Sequence, residues 1–161
     1  MSPRTPARQR LLDAASRLFY AQGMAATGID AIIADAGVAK MSLYNNFSSK
    51  DDLVLAYIEA RHQEWLGLYQ RRAQLATTSE QKVLAVFDAY ADHANAAYEH
   101  GFRGCGLLNA AAELPTRSPG RRRCDGTRNR WKGFSPSTWR KAGGLTRQPS
   151  PSTCLSFSKA R

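Results

Sequence analysis

Apolar residues recur at the helical period along the first two thirds of the chain. Between Arg8 and Gly23, Leu11, Leu12, Ala15, Leu18 and Phe19 fall at i, i+1, i+4, i+7 and i+8. That is one buried stripe, and Gly23 is a natural terminator. Arg8, Arg10 and Arg17 lie off the stripe. Ile29, Ile32, Ile33 and Ala36 repeat at i, i+3, i+4 and i+7 and predict a short second helix. Thr27 reads as its N-cap, with Asp30 three residues on as in a capping box. Gly37 follows, where a tight turn needs a residue that tolerates positive φ. Val38 resumes apolar character, and Leu43 and Phe47, four apart, give another short helix its inward side. Ser49 and Asp52 cap a long helix carrying Leu53, Val54, Tyr57, Ile58, Trp65, Leu68 and Tyr69. Thr78 and Gln81 form a further capping pair. They open a helix with Val83, Leu84, Val86, Phe87, Tyr90 and Ala91 that runs to about Tyr98. No segment of residues 1–114 alternates at the strand period, so the expected fold is all-α.

The order within residues 27–53 carries a function class. A short helix, a glycine turn, a second short helix and the capped start of a third make the pattern of a helix-turn-helix. Such a unit lays its second helix in the DNA major groove and presents that helix's N-terminal residues to base edges. Lys40, Met41 and Ser42 occupy that end. A lysine donates to guanine O6 and N7, and a methionine touches a thymine methyl. Thr27 and Lys50 stand at the starts of the flanking helices, where free N–H groups and the helix dipole favour a phosphate. Two readings stay open here: Thr27 as an N-cap only, and Tyr44 as the edge of the core.

The pieces RLLDAASRLFYAQG, TGIDAIIADAGVAKMSLYNNF and SSKDDL carry a resemblance that spans residues 8–69. Ala36-Gly37-Val38, Leu43-Tyr44, Phe47 and Ser49-Lys50 stand at the spacing of the N-terminal domain of TetR/AcrR-family transcriptional regulators. The segment FRGCGLLNAAAEL, residues 102–114, resembles a helix start in the ligand-binding region of some members. Ile33 departs from the alanine common at its turn-facing site. The resemblance implies a DNA-binding regulator, a repressor released by a small-molecule inducer, that reads a palindromic operator in double-stranded DNA as a homodimer. It implies that Tyr44 and Asn45 meet phosphates and supports Lys40, Ser42 and Lys50 as DNA contacts. It further implies that later helices enclose an inducer pocket, with Trp65, Tyr69, Phe87, Tyr90, His93 and Phe102 as candidate lining; plain core is the other reading of these aromatics.

Charge changes the picture in the last third. Residues 1–114 hold 11 Lys+Arg against 12 Asp+Glu, whereas residues 115–161 hold 12 Lys+Arg and one acid, Asp125. The net charge of +10 therefore comes from the tail and is no sign of a basic DNA face. The tail lacks Ile, Val and Met, has two leucines, Leu145 and Leu155, and is rich in Ser, Thr, Pro and Gly. That composition predicts disorder. It reads either as a genuine basic arm that attracts phosphate or as a segment translated out of frame. The expected organisation is a DNA-binding domain over 1–53, a partial helical effector and dimerisation region over 54–114, and a basic tail over 115–161. In a shortened chain a homodimer is in question. An alternative function is a non-functional or interfering fragment that pairs with a related subunit and not with DNA.

Cys105, Cys124 and Cys154, with His62, His93 and His100, show no metal-ligand spacing, so no metal or cofactor is expected. An enzyme reading needs Cys105 as nucleophile with His93 or His100 as base. No third group orients them, and the chain is read as a non-enzyme. There is no membrane-length apolar run, and the expected location is the cytoplasm.

Overall fold

The computed structural model describes residues 5–95 and 101–131. Those residues form seven helices and no strand: α1 (Ala7–Gln22), α2 (Ile29–Ala36), α3 (Lys40–Tyr44), α4 (Lys50–Gln74), α5 (Ser79–Asn95), α6 (Gly106–Glu113) and α7 (Pro119–Trp131). None of them is long and apolar enough to cross a membrane. The local signals largely act where the sequence puts them. Gly23 ends α1 at φ 91°, and Gly37 ends α2 in the left-handed region at φ 59°. Ser49 Oγ accepts from the Asp52 N–H at 3.1 Å, and the Asp52 carboxylate accepts in return from the Ser48 N–H at 3.1 Å. At α5, Thr78 Oγ1 accepts from the Gln81 N–H at 3.3 Å while Gln81 Oε1 takes the Thr77 and Thr78 N–H groups.

One core runs through the head and the body. Leu11, Ala14, Ala15 and Phe19 of α1 pack with Ile32 and Ala36 of α2, Leu43 of α3, Phe47, and Leu53, Val54, Tyr57 and Ile58 of α4. Leu107 and Ala110 of α6 close the same cluster. The Phe19 and Tyr57 rings meet edge to face at 5.4 Å, a favoured geometry for aromatic pairs. Because α4 is continuous from Lys50 to Gln74, the expected boundary at residue 53 falls inside a helix. A second contact joins α4 to α5, where Trp65 stacks on Tyr69 at 5.6 Å and tilts against Tyr90 at 6.2 Å. Arg72 grips the Asp92 carboxylate with two nitrogens.

One helix buries a face its bulky residues do not announce, and one expectation is corrected. The bulky residues of α5 do not form its inward stripe: Ala85, Ala89 and His93, at i, i+4 and i+8, are buried, while Leu84 and Phe87 are 57% and 62% exposed. Small side chains let helix axes approach closely, and the large ones turn outward. The disorder expected from Pro115 onward does not hold over 119–131, which is helix α7. Ser118 Oγ accepts from the Arg121 N–H at 3.1 Å, and Pro119 takes the first helical position, where a missing N–H costs nothing. Cys124 is buried in the common core, and burial pushes its thiol up to about 11. Arg121 donates to the Ala111 carbonyl, and Arg123 forms a two-pronged pair with Glu59 of α4. A helix seated on a glycine, a cysteine and guanidinium contacts shows no apolar stripe, so composition does not reveal it. Residues 132–161, with Cys154, lie outside the described residues, as do His100 and Tyr98.

The Glu59–Arg123 pair makes α7 docking acid-sensitive. Hydrogen bonds from Arg123 and then Gln63 hold the Glu59 carboxyl down at about 2 against an ordinary 4.5. A folded value below the unfolded one contributes stability above the unfolded value and loses it as pH falls through the folded one. The window therefore runs from pH 4.5 down to about 2. Both side chains are more than a third exposed, so solvent screening keeps the effect modest. The α7 amide NMR signals are expected to shift across that window in the unaltered chain. The shift should be smaller in Glu59→Gln, which lacks the pair at every pH; identical titrations would remove the pair from α7 docking.

Candidate nucleic-acid interface

The short α3 divides its residues cleanly. Leu43 is fully buried and Phe47, just past the helix, is 1% exposed; together they seat α3 on the core. On the other side Met41 is 67% and Tyr44 51% exposed, and Lys40 and Asn45 also face solvent. Ser42 is half-buried, and its carbonyl accepts from Asn46 Nδ2 at 2.7 Å. Five of the seven residues expected at DNA are thus gathered on α3 and its C-cap, with flexible donors, a thioether and a phenol outward. Lys50 opens α4 half-buried.

Thr27 is placed elsewhere. Its side chain is 1% exposed, and the hydroxyl donates to the Gly23 carbonyl at 2.7 Å. Gly28, not Thr27, occupies the N-cap position of α2, with no side-chain cap bond. The hydroxyl closes the end of α1. The N-cap role expected of Thr27 is therefore corrected: its hydroxyl is engaged at the end of α1.

Three arginines left outside the sequence pattern tie α1 to α2, to the turn before α3 and to the seat of α3. Arg10 donates to the Gly37 carbonyl at 2.7 Å, tying α1 to the turn between α2 and α3. The Arg8 guanidinium lies 4.8 Å from the centre of the Phe47 ring, within cation–π range. Arg17 pairs with Asp35 of α2 at 2.6 Å. Their position off the apolar stripe of α1 was the only sequence signal. Between the helices, Lys40 Nζ lies 3.2 Å from Asp30 Oδ1.

The body holds the head at two points. The Tyr20 hydroxyl donates to the Gly104 carbonyl at 2.9 Å and accepts from the Arg103 N–H at 2.6 Å, just before α6. At the other end of α6, the Glu113 carboxylate accepts from the Ala25 N–H at 2.8 Å, in the connection from α1 to α2. Of the residues expected to line a pocket, Trp65, Tyr69 and Tyr90 pack together, and His93 meets Phe102 edge to face at 5.8 Å. Phe87 is largely exposed and does not pack with them. His62 and His93 are both buried, and burial holds the His93 imidazole below its ordinary value. Cys105, half-buried, stands at the N-cap of α6.

Residues 11–57 match the family of bacterial regulatory proteins named for tetR. Among curated proteins, the transcriptional activator FasR of Mycolicibacterium smegmatis is 39% identical over 107 residues, covering 66% of this chain and 47% of FasR. The transcriptional repressor KstR2 of the same organism is 34% identical over 95 residues, 55% of this chain and 46% of KstR2. The chain thus spans about half the length of these curated relatives. Among solved structures, the TetR-family transcriptional regulator SCO4454 of Streptomyces coelicolor superposes with a TM-score of 0.76. It is 33% identical, over 86% of this chain and 72% of that one. With its braced α3, its all-helical fold and these relatives, the chain belongs to the TetR family of bacterial regulators.

Proposed function

We propose that this chain is a sequence-specific DNA-binding transcriptional regulator that inserts α3 into the major groove. The carrying observation is the division of α3: Leu43 and Phe47 anchor it, and Lys40, Met41, Tyr44 and Asn45 are presented outward. Lys40, Met41 and Ser42 read base edges, while Tyr44, Asn45 and Lys50 meet phosphates. The functional division is a reading head over 1–53 followed by an effector and dimerisation region over 54–114. Two copies reading half-sites one helical turn apart account for a palindromic operator. Control is repression relieved by a small molecule held near Trp65, Tyr69, Tyr90, His93 and Phe102, and the likeness to the repressor KstR2 supports that sign. The longer match to FasR favours a second reading, activation from the same DNA contacts.

The test is direct. Selection from a random duplex library yields the preferred site, and Lys40→Ala is expected to cost about 1–3 kcal/mol of discrimination there. Tyr44→Phe is expected to cost roughly 1 kcal/mol, one hydrogen bond. Unchanged affinity and preference in both variants would overturn the assignment of α3. Absence of binding by the isolated chain, with capture of a related subunit, would favour the interfering-fragment reading. Transcript levels of the genes beside the selected site, with and without this chain, give the sign of control.

A further inference from the structure

Lys40, the cation at the start of the reading helix, is already engaged. Its ammonium lies 3.2 Å from a carboxylate oxygen of Asp30, the second residue of α2. Both side chains are well exposed, at 64% and 85%. A pair this open contributes next to nothing to folding. Its consequence lies in what it does to the charge of the reading end. α2 carries a second acid, Asp35, but that one pairs with Arg17 of α1 and braces the head from behind.

Any lysine on a DNA-facing surface is drawn to phosphates of every sequence, and each such contact adds to sequence-independent binding. A carboxylate beside the lysine opposes this by occupying the ammonium. A base edge offers a different exchange. Guanine presents O6 and N7 as paired neutral acceptors in the groove, where Asp30 meets no fixed negative charge as close as a phosphate. Discrimination can be built by penalising the wrong contact as well as by improving the right one.

We propose that Asp30 is a positioning residue for specificity: it restrains Lys40 from phosphates, so that a base-edge acceptor displaces it and the DNA backbone does not. This rests on the reading of α3 as the DNA-contacting helix. The geometry that carries it is the Asp30–Lys40 contact across two helices at the exposed end of the head.

The experiment uses the full chain and four variants: Asp30→Asn, Asp30→Glu, Lys40→Ala and the Asp30→Asn/Lys40→Ala double variant. The probes are a mixed-sequence duplex of ~30 bp, titrated by anisotropy between ~50 and ~200 mM salt, and a random duplex library read by sequencing. Asp30→Asn is expected to tighten mixed-sequence binding roughly threefold to tenfold at the low-salt end. Its log–log salt slope should steepen by about 0.9, the signature of one more neutralised phosphate. Base preference in the library should flatten at one position of each half-site. Asp30→Glu should restore the original slope, and in the Lys40→Ala background Asp30→Asn should change nothing.

The inference is overturned if the unaltered chain binds DNA and Asp30→Asn leaves slope and preference as they were. An Asp30→Asn effect that persists in Lys40→Ala also overturns it, because Asp30 then acts by general repulsion. If the unaltered chain binds no duplex at any salt, the DNA-binding reading falls and this inference with it.

Discussion

Phe47→Ala is expected to lose about 3–5 kcal/mol, the cost of deleting a buried aromatic ring and leaving its cavity. A domain's whole stability is only about 5–15 kcal/mol, so the variant should sit near its unfolding threshold. Phe47 is 1% exposed, its N–H donates to the Leu43 carbonyl at 2.8 Å, and the Arg8 guanidinium covers its ring. Removing the ring takes away the seat of α3 and the partner of Arg8 together. Urea unfolding followed by far-UV circular dichroism reads the loss. Tyr44→Phe is the control: Tyr44 is 51% exposed, and its change should stay within about 0.5 kcal/mol. The pair separates folding from recognition, since one variant damages the helix's support and the other only its outward surface. A Phe47→Ala variant as stable as the unaltered chain would show that α3 is not anchored through this ring.

Ile58→Ala is the second large effect, expected at about 2–5 kcal/mol for a fully buried isoleucine. It also tests whether α7 is seated on α4. A Cβ at Gly120 would fall 2.9 Å from both Ile58 Cδ1 and Leu114 Cδ1, so Gly120→Val forces the methyls of a buried and a half-buried residue apart. Overpacking of that kind costs about 1–3 kcal/mol. The two changes share one space, so the double variant should be less destabilised than the sum of the singles. Gly126 of the same helix has nothing within 4 Å of a Cβ, and Gly126→Ala should stabilise by up to about 1 kcal/mol through helix propensity. Additive effects of Ile58→Ala and Gly120→Val would place α7 away from α4.

The contacts of α6 bear on how the body positions the head. Tyr20 and Glu113 attach its two ends to α1 and to the connection before α2. These bonds span more than 80 residues of sequence. Nothing in the spacing of Tyr20 or Glu113 announces such a partner, because each lies on an ordinary helix face. The same holds for Arg10, whose bond to the Gly37 carbonyl braces the turn.

Helical periods, the Ser49 and Thr78 caps, and the turns at Gly23 and Gly37 are local, and the residue order alone determined them. Backbone sterics and hydrogen bonds within four residues decide such features whatever surrounds them. The same short-range logic placed Leu43 and Phe47 inward and Lys40 and Met41 at the outward end, while Tyr44, left open as core edge, proves exposed. Three-dimensional packing decided the rest. Thr27 has the chemistry of an N-cap, yet the end of α1 offers it the Gly23 carbonyl, and it is buried there. On α5 the period announces faces but not which one is buried; close approach to α4 favoured Ala85 and Ala89 over Leu84 and Phe87. Helix α7 carries no apolar stripe in its sequence, so its composition reads as unstructured until Glu59, Ile58 and the Ala111 carbonyl supply its partners. A pattern along one chain records what each residue prefers, whereas burial depends on which surfaces meet, and that is a property of the assembled helices.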